Sequence, residues 1–159
     1  MNAELLIGLL ALVVAIFSLL ISWFFNLKDH ERRRKQATIE YFEAMTDRLF
    51  DIQAKFNDKL TKQDVEISNL ENYPELLKDA TAVLSAFERL SVGVNTNVFD
   101  FNILNRMAGS YLIFLYTRFS PYIEIIRKDA SRQKSYIEFE RLIMRIKREK
   151  NPINNSGKI

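Results

Sequence analysis

Hydrophobic positions follow two different rhythms along this chain. From Leu5 to Phe25 there is no charged residue, and fifteen of the 21 positions are Leu, Ile, Val or Phe, so no face of a helix here is polar. A helix of that length rises roughly 31 Å, close to the hydrocarbon thickness of a bilayer. At roughly −0.3 to −0.6 kcal/mol each, these side chains favour insertion by about 5–9 kcal/mol, well beyond what one Gly and two Ser oppose. A core helix of a soluble protein is seldom apolar on every face for six turns. A cleavable signal peptide would want a basic flank, a shorter apolar run and a small-residue cleavage site. Here the flank Met1-Asn2-Ala3-Glu4 has no Lys or Arg, and the run ends in Trp23-Phe24-Phe25-Asn26. The expectation is a retained transmembrane anchor over residues 1–27.

Beyond a polar segment at 28–37 the rhythm becomes amphipathic. Ile39, Phe42, Met45, Leu49, Ile52, Phe56 and Leu60 recur at a spacing of three or four, which predicts a helix over Thr38–Leu60, with room for it to continue straight out of the anchor. A polar stretch from Thr61 to Tyr73 follows, with room for a short helical turn. Pro74 suits the first turn of a second helix, which presents Leu76, Leu77, Ala80, Val83, Leu84, Phe87 and Leu90 on one side. Gly93 is placed to end it and Asp100 to cap the next helix, Phe101 to about Phe119. Met107–Tyr116 is uncharged but too short to span a bilayer, so it reads as a buried central helix. Ser120-Pro121 should break or kink that helix and start a short segment to about Asp129. Ser135–Lys150 closes the domain with Ile137, Leu142, Ile143 and Ile146 facing inward, and residues 151–159 read as a disordered tail. The fold class expected is all-α: one N-terminal transmembrane helix, then a small cytoplasmic helical bundle over 38–150.

Within the span the small residues are not scattered. Gly8, Ala11, Ala15, Ser18 and Ser22 are spaced 3, 4, 3, 4, which puts them on one stripe about 80° wide. Small residues let helix backbones approach closely in lipid, so the stripe reads as a self-association face and the chain as a candidate homo-oligomer. The plainer reading is a chance arrangement facing lipid. The period does not continue into a coiled coil, since it next meets Asp29, Arg32, Gln36 and Glu43.

Charge then sets orientation. Lys28, Arg32, Arg33, Arg34 and Lys35 crowd the C-terminal flank of the span, and the other flank has no basic side chain. The positive-inside bias places the N-terminus outside and the domain in the cytoplasm, as a single-pass protein of the inner (plasma) membrane. The same cluster meets anionic membrane lipids. The absence of Cys agrees with a reducing compartment. Residues 36–126 carry 8 basic and 13 acidic side chains, whereas 127–150 carry nine basic and four acidic. That second basic cluster reads first as a solvated face, then as a surface for lipid or an acidic protein partner. Nucleic-acid binding is not expected, because no binding motif accompanies the charge.

Candidate chemistry is sparse. His30, the only histidine, sits in the charged flank, and the position five before it is Phe25, which rules out an Arg-x4-His ribonuclease arrangement. With no Cys and one His the commoner zinc sites are nearly excluded, no Gly-rich phosphate loop appears, and neither metal nor cofactor is expected. Glu88, Arg89, Asp100, Arg106 and Glu124 are polar residues among apolar neighbours. Caps and internal ion pairs are the simpler role for Glu88, Arg89 and Asp100; an enzymatic site near Glu88 and Arg106 is the alternative.

Five short features group together: Glu88-Arg89, Val92-Gly93, Phe99-Asp100, Gly109-Ser110 and Pro121-Tyr122-Ile123. In these, residues 80–145 resemble an uncharacterised bacterial family, domain of unknown function number 4760, whose members pair an N-terminal membrane helix with a helical domain. The resemblance implies that architecture and carries no activity, ligand or site. The function expected is a non-enzymatic interaction or assembly module on the cytoplasmic membrane face, binding itself or an unidentified protein partner. The alternative is a membrane-perturbing effector of toxin or antiphage type that oligomerises through its span.

Overall fold

The computed structural model describes residues 3–150, apart from the side chains of residues 4–6 and 63. The tail at 151–159, read above as disordered, lies outside the described residues. Four α-helices form: α1 (Ala3–Gln63), α2 (Pro74–Asn95), α3 (Phe101–Ile126) and α4 (Ile137–Lys150), with 3₁₀ turns at Ile67–Asn72 and Ala130–Arg132. There is no strand among the described residues, and the fold class is all-α as the sequence predicts. The segments expected at 5–25 and 38–60 belong to one element, α1. The chain separates into two compact units, Met1–Gln36 and Ala37–Ile159.

In the first unit nothing covers the apolar side chains. From Ile7 to Leu27 every large hydrophobic residue is exposed, from 45% at Ile21 to 71% at Leu19. Among the described residues, α1 is the one helix long and apolar enough to cross a membrane, with a peak mean hydropathy of 2.6.

The second unit has a core of its own. Leu84, Leu90, Leu104, Leu112, Phe139 and Leu142 are fully inaccessible. The Phe139 ring stacks on Phe87 at 5.6 Å and takes the edge of Tyr116 at 5.5 Å. The backbones of α2 and α3 approach α4 most closely. The part of α1 in this unit reaches the core through long side chains instead, Phe56 meeting Phe119 at 5.6 Å between ring centroids.

Three local readings are corrected. Gly93 does not end α2, which runs on to Asn95, and no glycine has positive φ among the described residues. The left-handed residue is Asn97, at φ 61°. Glycine stands at 93 because Phe99 folds back on it: a Cβ there would sit 2.4 Å from Phe99 Cδ2. Phe99 N also donates to Gly93 O at 2.9 Å. Pro121 does not break α3, which continues to Ile126. The carbonyl that loses its usual partner to proline is that of Thr117, and Ser120 Oγ donates to it at 2.9 Å. The last helix starts at Ile137 rather than Ser135, after Tyr136 at φ 58°. Its central inward side chain is Phe139, while Ile137 is only half-buried.

Gly93→Ala decides between two opposed effects. Inside a helix that change stabilises by roughly 0.5–1 kcal/mol when the space is open. Here the methyl group meets a ring held by Tyr41 at 4.8 Å, so overpacking prevails. The expected loss is about 1–3 kcal/mol in denaturant unfolding of the full chain, partly recovered by adding Phe99→Leu. A stabilised Gly93→Ala protein would show that Phe99 gives way freely.

Candidate functional site

In the first unit the small residues Gly8, Ala11, Ala15, Ser18 and Ser22 are all exposed. A Cβ built on Gly8 meets no heavy atom within 4 Å, so nothing in the isolated chain requires glycine there. Ser18 Oγ donates to Val14 O at 2.9 Å, which satisfies the hydroxyl along the helix itself. The basic flank is partly neutralised by its own helix: Arg33 pairs with Asp29 at 2.8 Å and Lys35 with Glu31 at 2.6 Å. Lys28 Nζ lies 4.6 Å from the centre of the Phe24 ring, a cation over an aromatic face. Arg32 and Arg34 stand in the same run of α1.

In the second unit the polar residues singled out by sequence have distinct duties. Asp100 is 3% exposed, and its Oδ1 accepts from Ile103 N at 3.1 Å to cap α3. Its own N–H donates to the hydroxyl of the buried Thr38 at 2.7 Å, which ties α1 to the start of α3. Glu88 acts at a longer range. Its Oε1 accepts from Glu138 N at 3.1 Å and its Oε2 from Phe139 N at 2.8 Å, so a residue of α2 caps α4. A negative carboxylate at the positive end of the helix dipole adds to those bonds. Asn95 Nδ2 supports the same corner, donating to Glu138 O at 3.0 Å and Glu138 Oε2 at 2.8 Å. Arg106 belongs elsewhere, in a shallow hollow with Asn105, Ser110 and Lys150; no ion pair or hydrogen bond joins it to Glu88.

Arg89 joins a different constellation. Between α1 and α2 lies a groove of about 670 Å³ whose floor includes Met45, Leu49, Ile52, Ala82 and Ala86. Arg48, Lys78 and Arg89 stand on its walls with Thr81 and Ser85. Thr81 and Ser85 lie near the phenol of Tyr136, which is pushed up chiefly by burial. At one end of the helix pair Lys59 bridges α1 to α2, reaching Glu75 at 3.0 Å and Asp79 at 3.8 Å. The Glu75 hydrogen bond holds Lys59 above the usual lysine range and, reciprocally, Glu75 below the usual carboxylate range.

Arg48 and Lys78 carry no distinguishing signal in the sequence, since each has an acid one turn away, Asp51 and Glu75, whereas Arg89 does carry one. The neighbours of Arg89 three and four positions away are Ser85, Ala86, Val92 and Gly93, none of them acidic. Cations without a carboxylate one turn away are candidates for contacts beyond their own helix. Among the described residues, no group of three or more His, Cys, Asp or Glu side chains is arranged to hold a metal.

Removing the Glu88 carboxylate should loosen the start of α4. Glu88→Ala is expected to cost about 1–3 kcal/mol and Glu88→Gln less, because the amide keeps one acceptor. Hydrogen exchange reads this locally, with the Glu138 and Phe139 amides exchanging faster in Glu88→Ala. Unchanged protection at both would remove Glu88 as the cap.

No curated protein and no solved structure matches the chain. The model of one family, described as a domain of unknown function (DUF4760), matches residues 5–146. That reaches well beyond the 80–145 segment carrying the resemblance in sequence, and includes the apolar span, the groove and the α4 cap. This chain belongs to that family.

Proposed function

We propose that this protein is a membrane-anchored, non-enzymatic assembly module whose helical domain works on the cytoplasmic face of the membrane. The observation that carries the reading is the uncovered apolar surface from Ile7 to Leu27. Soluble proteins rarely leave contiguous apolar patches larger than a few hundred Å² in water, and lipid is the solvent that suits such a helix. The five basic residues between Lys28 and Lys35 favour a cytoplasmic position for that flank. Gly8, Ala11, Ala15, Ser18 and Ser22 supply the close-approach stripe for a second copy.

Natural absence of Cys makes the topology simple to test with single-cysteine variants. Asn2→Cys is expected to react with an impermeant maleimide on intact cells, and Asn155→Cys only after lysis. The reverse pattern would overturn the orientation, and release of both variants from washed membranes would overturn the anchor. For assembly, crosslinking in native membranes should give oligomers that Gly8→Leu, Ala11→Leu and Ala15→Leu together reduce at least fivefold. Wild-type chains that crosslink only as monomers, with no reproducible partner in a pull-down, would remove the assembly role.

A further inference from the structure

We propose that the groove between α1 and α2 binds a single-chain anionic amphiphile, an alkyl chain of medium length ending in a carboxylate or a phosphate. Its head lies between Arg48 and Arg89, and its chain lies over the groove floor.

Among the described residues no carboxylate comes within 4.0 Å of the guanidinium nitrogens of Arg48 or Arg89. This holds in a segment, 36–126, that carries more acidic than basic side chains. Two cations at one end of a groove repel each other, and an anion placed between them relieves that repulsion. Both are arginines, which stay charged at any physiological pH and present planar forks suited to a carboxylate or phosphate.

Register brings the arginines to the same end. Lys59 meets both Glu75 and Asp79, while Thr38 and Tyr41 meet Asp100 and Phe99 just past the end of α2, so α1 and α2 run antiparallel with position 59 opposite about 77. Moving back along α1 to Arg48 means moving forward by the same number of residues along α2, close to Arg89. Lys78 then lies about 16 Å from Arg89 along the axis of α2, toward the other end of the groove.

Shape and lining select the rest of the ligand. A bare phosphate has no use for Met45, Leu49, Ile52, Ala82 and Ala86, which line the groove with apolar groups. The volume of about 670 Å³ is that of a small-molecule site rather than an extended interface. A partner helix running the length of the groove is disfavoured, because the Lys59 bridges to Glu75 and Asp79 span from α1 to α2 beyond Ile52. A chain that ends within the groove fits.

Photoaffinity labelling tests this on the full-length protein in phosphatidylcholine nanodiscs, using dodecanoate with a diazirine on its chain. Peptide mapping should place adducts on residues 45–52 and 82–86. Excess dodecanoate or lysophosphatidate should compete at least tenfold better than dodecyltrimethylammonium, and inorganic phosphate alone should not compete. Better competition by dodecanoate identifies a free fatty acid as the source of the head group, and better competition by lysophosphatidate a lipid. Arg48→Gln with Arg89→Gln should weaken groove labelling at least tenfold while circular dichroism and adducts within the span stay unchanged. Either single change should weaken labelling less. Adducts confined to the span, or equal competition by the cationic amphiphile, would overturn the proposal. So would groove labelling that survives in the double variant, and Arg48→Lys with Arg89→Lys separates fork geometry from charge.

Discussion

Glu88 sends both carboxylate oxygens to the first backbone N–H groups of α4, and the start of α3 is built on the same demand. A helix leaves several N–H groups at its start with no partner of its own, and a buried start must borrow acceptors. α4 borrows from α2 through Glu88, and α3 uses Asp100, which is held in turn by Thr38 of α1. Even inside α3, the carbonyl freed by Pro121 is met by Ser120. Each bond is modest in net terms, yet leaving such a group buried and unmet costs about 1–3 kcal/mol. Apolar burial draws the helices together without choosing their ends, and these polar ties fix which end meets which.

How much of this was legible in the sequence follows from how local each cause is. The start of α2 at Pro74 and of α3 after Asp100 are local effects, and the sequence predicts both. So is the apolar stretch of α1, where composition alone leaves no polar face. Gly93 misleads because glycine has two uses, conformational freedom and lack of a side chain, and only the position of the Phe99 ring tells them apart. Pro121 misleads because a helix tolerates proline when another donor serves the freed carbonyl. Glu88 could be marked as structural, but its target lies fifty residues away and no spacing rule connects them.

The groove was illegible for a related reason. Its two walls come from distant segments, and neither Arg48 nor Lys78 stands out within its own helix. What distinguishes Arg48 and Arg89 is the missing carboxylate partner, a property of the folded arrangement. Lys59 makes the contrast plain, since it sits on the same pair of helices and is paired with two acids of α2. Closing one end with a satisfied lysine while leaving two arginines unpaired toward the other gives the groove a polarity that apolar packing alone would not produce.

Helix α1 carries the most general consequence, because one regular backbone bears two side-chain patterns in succession. From Ile7 to Phe25 its large hydrophobic side chains are all exposed. From Thr38 onward Met45, Leu49, Phe56 and Leu60 are buried while intervening positions are charged. Backbone hydrogen bonding is the same in both stretches, so it contributes nothing to the distinction. The difference is written only in the side chains, and the basic run from Lys28 to Lys35 separates the two patterns. One regular backbone thus carries two hydrophobic rhythms, and only the second is closed by a core of the protein's own.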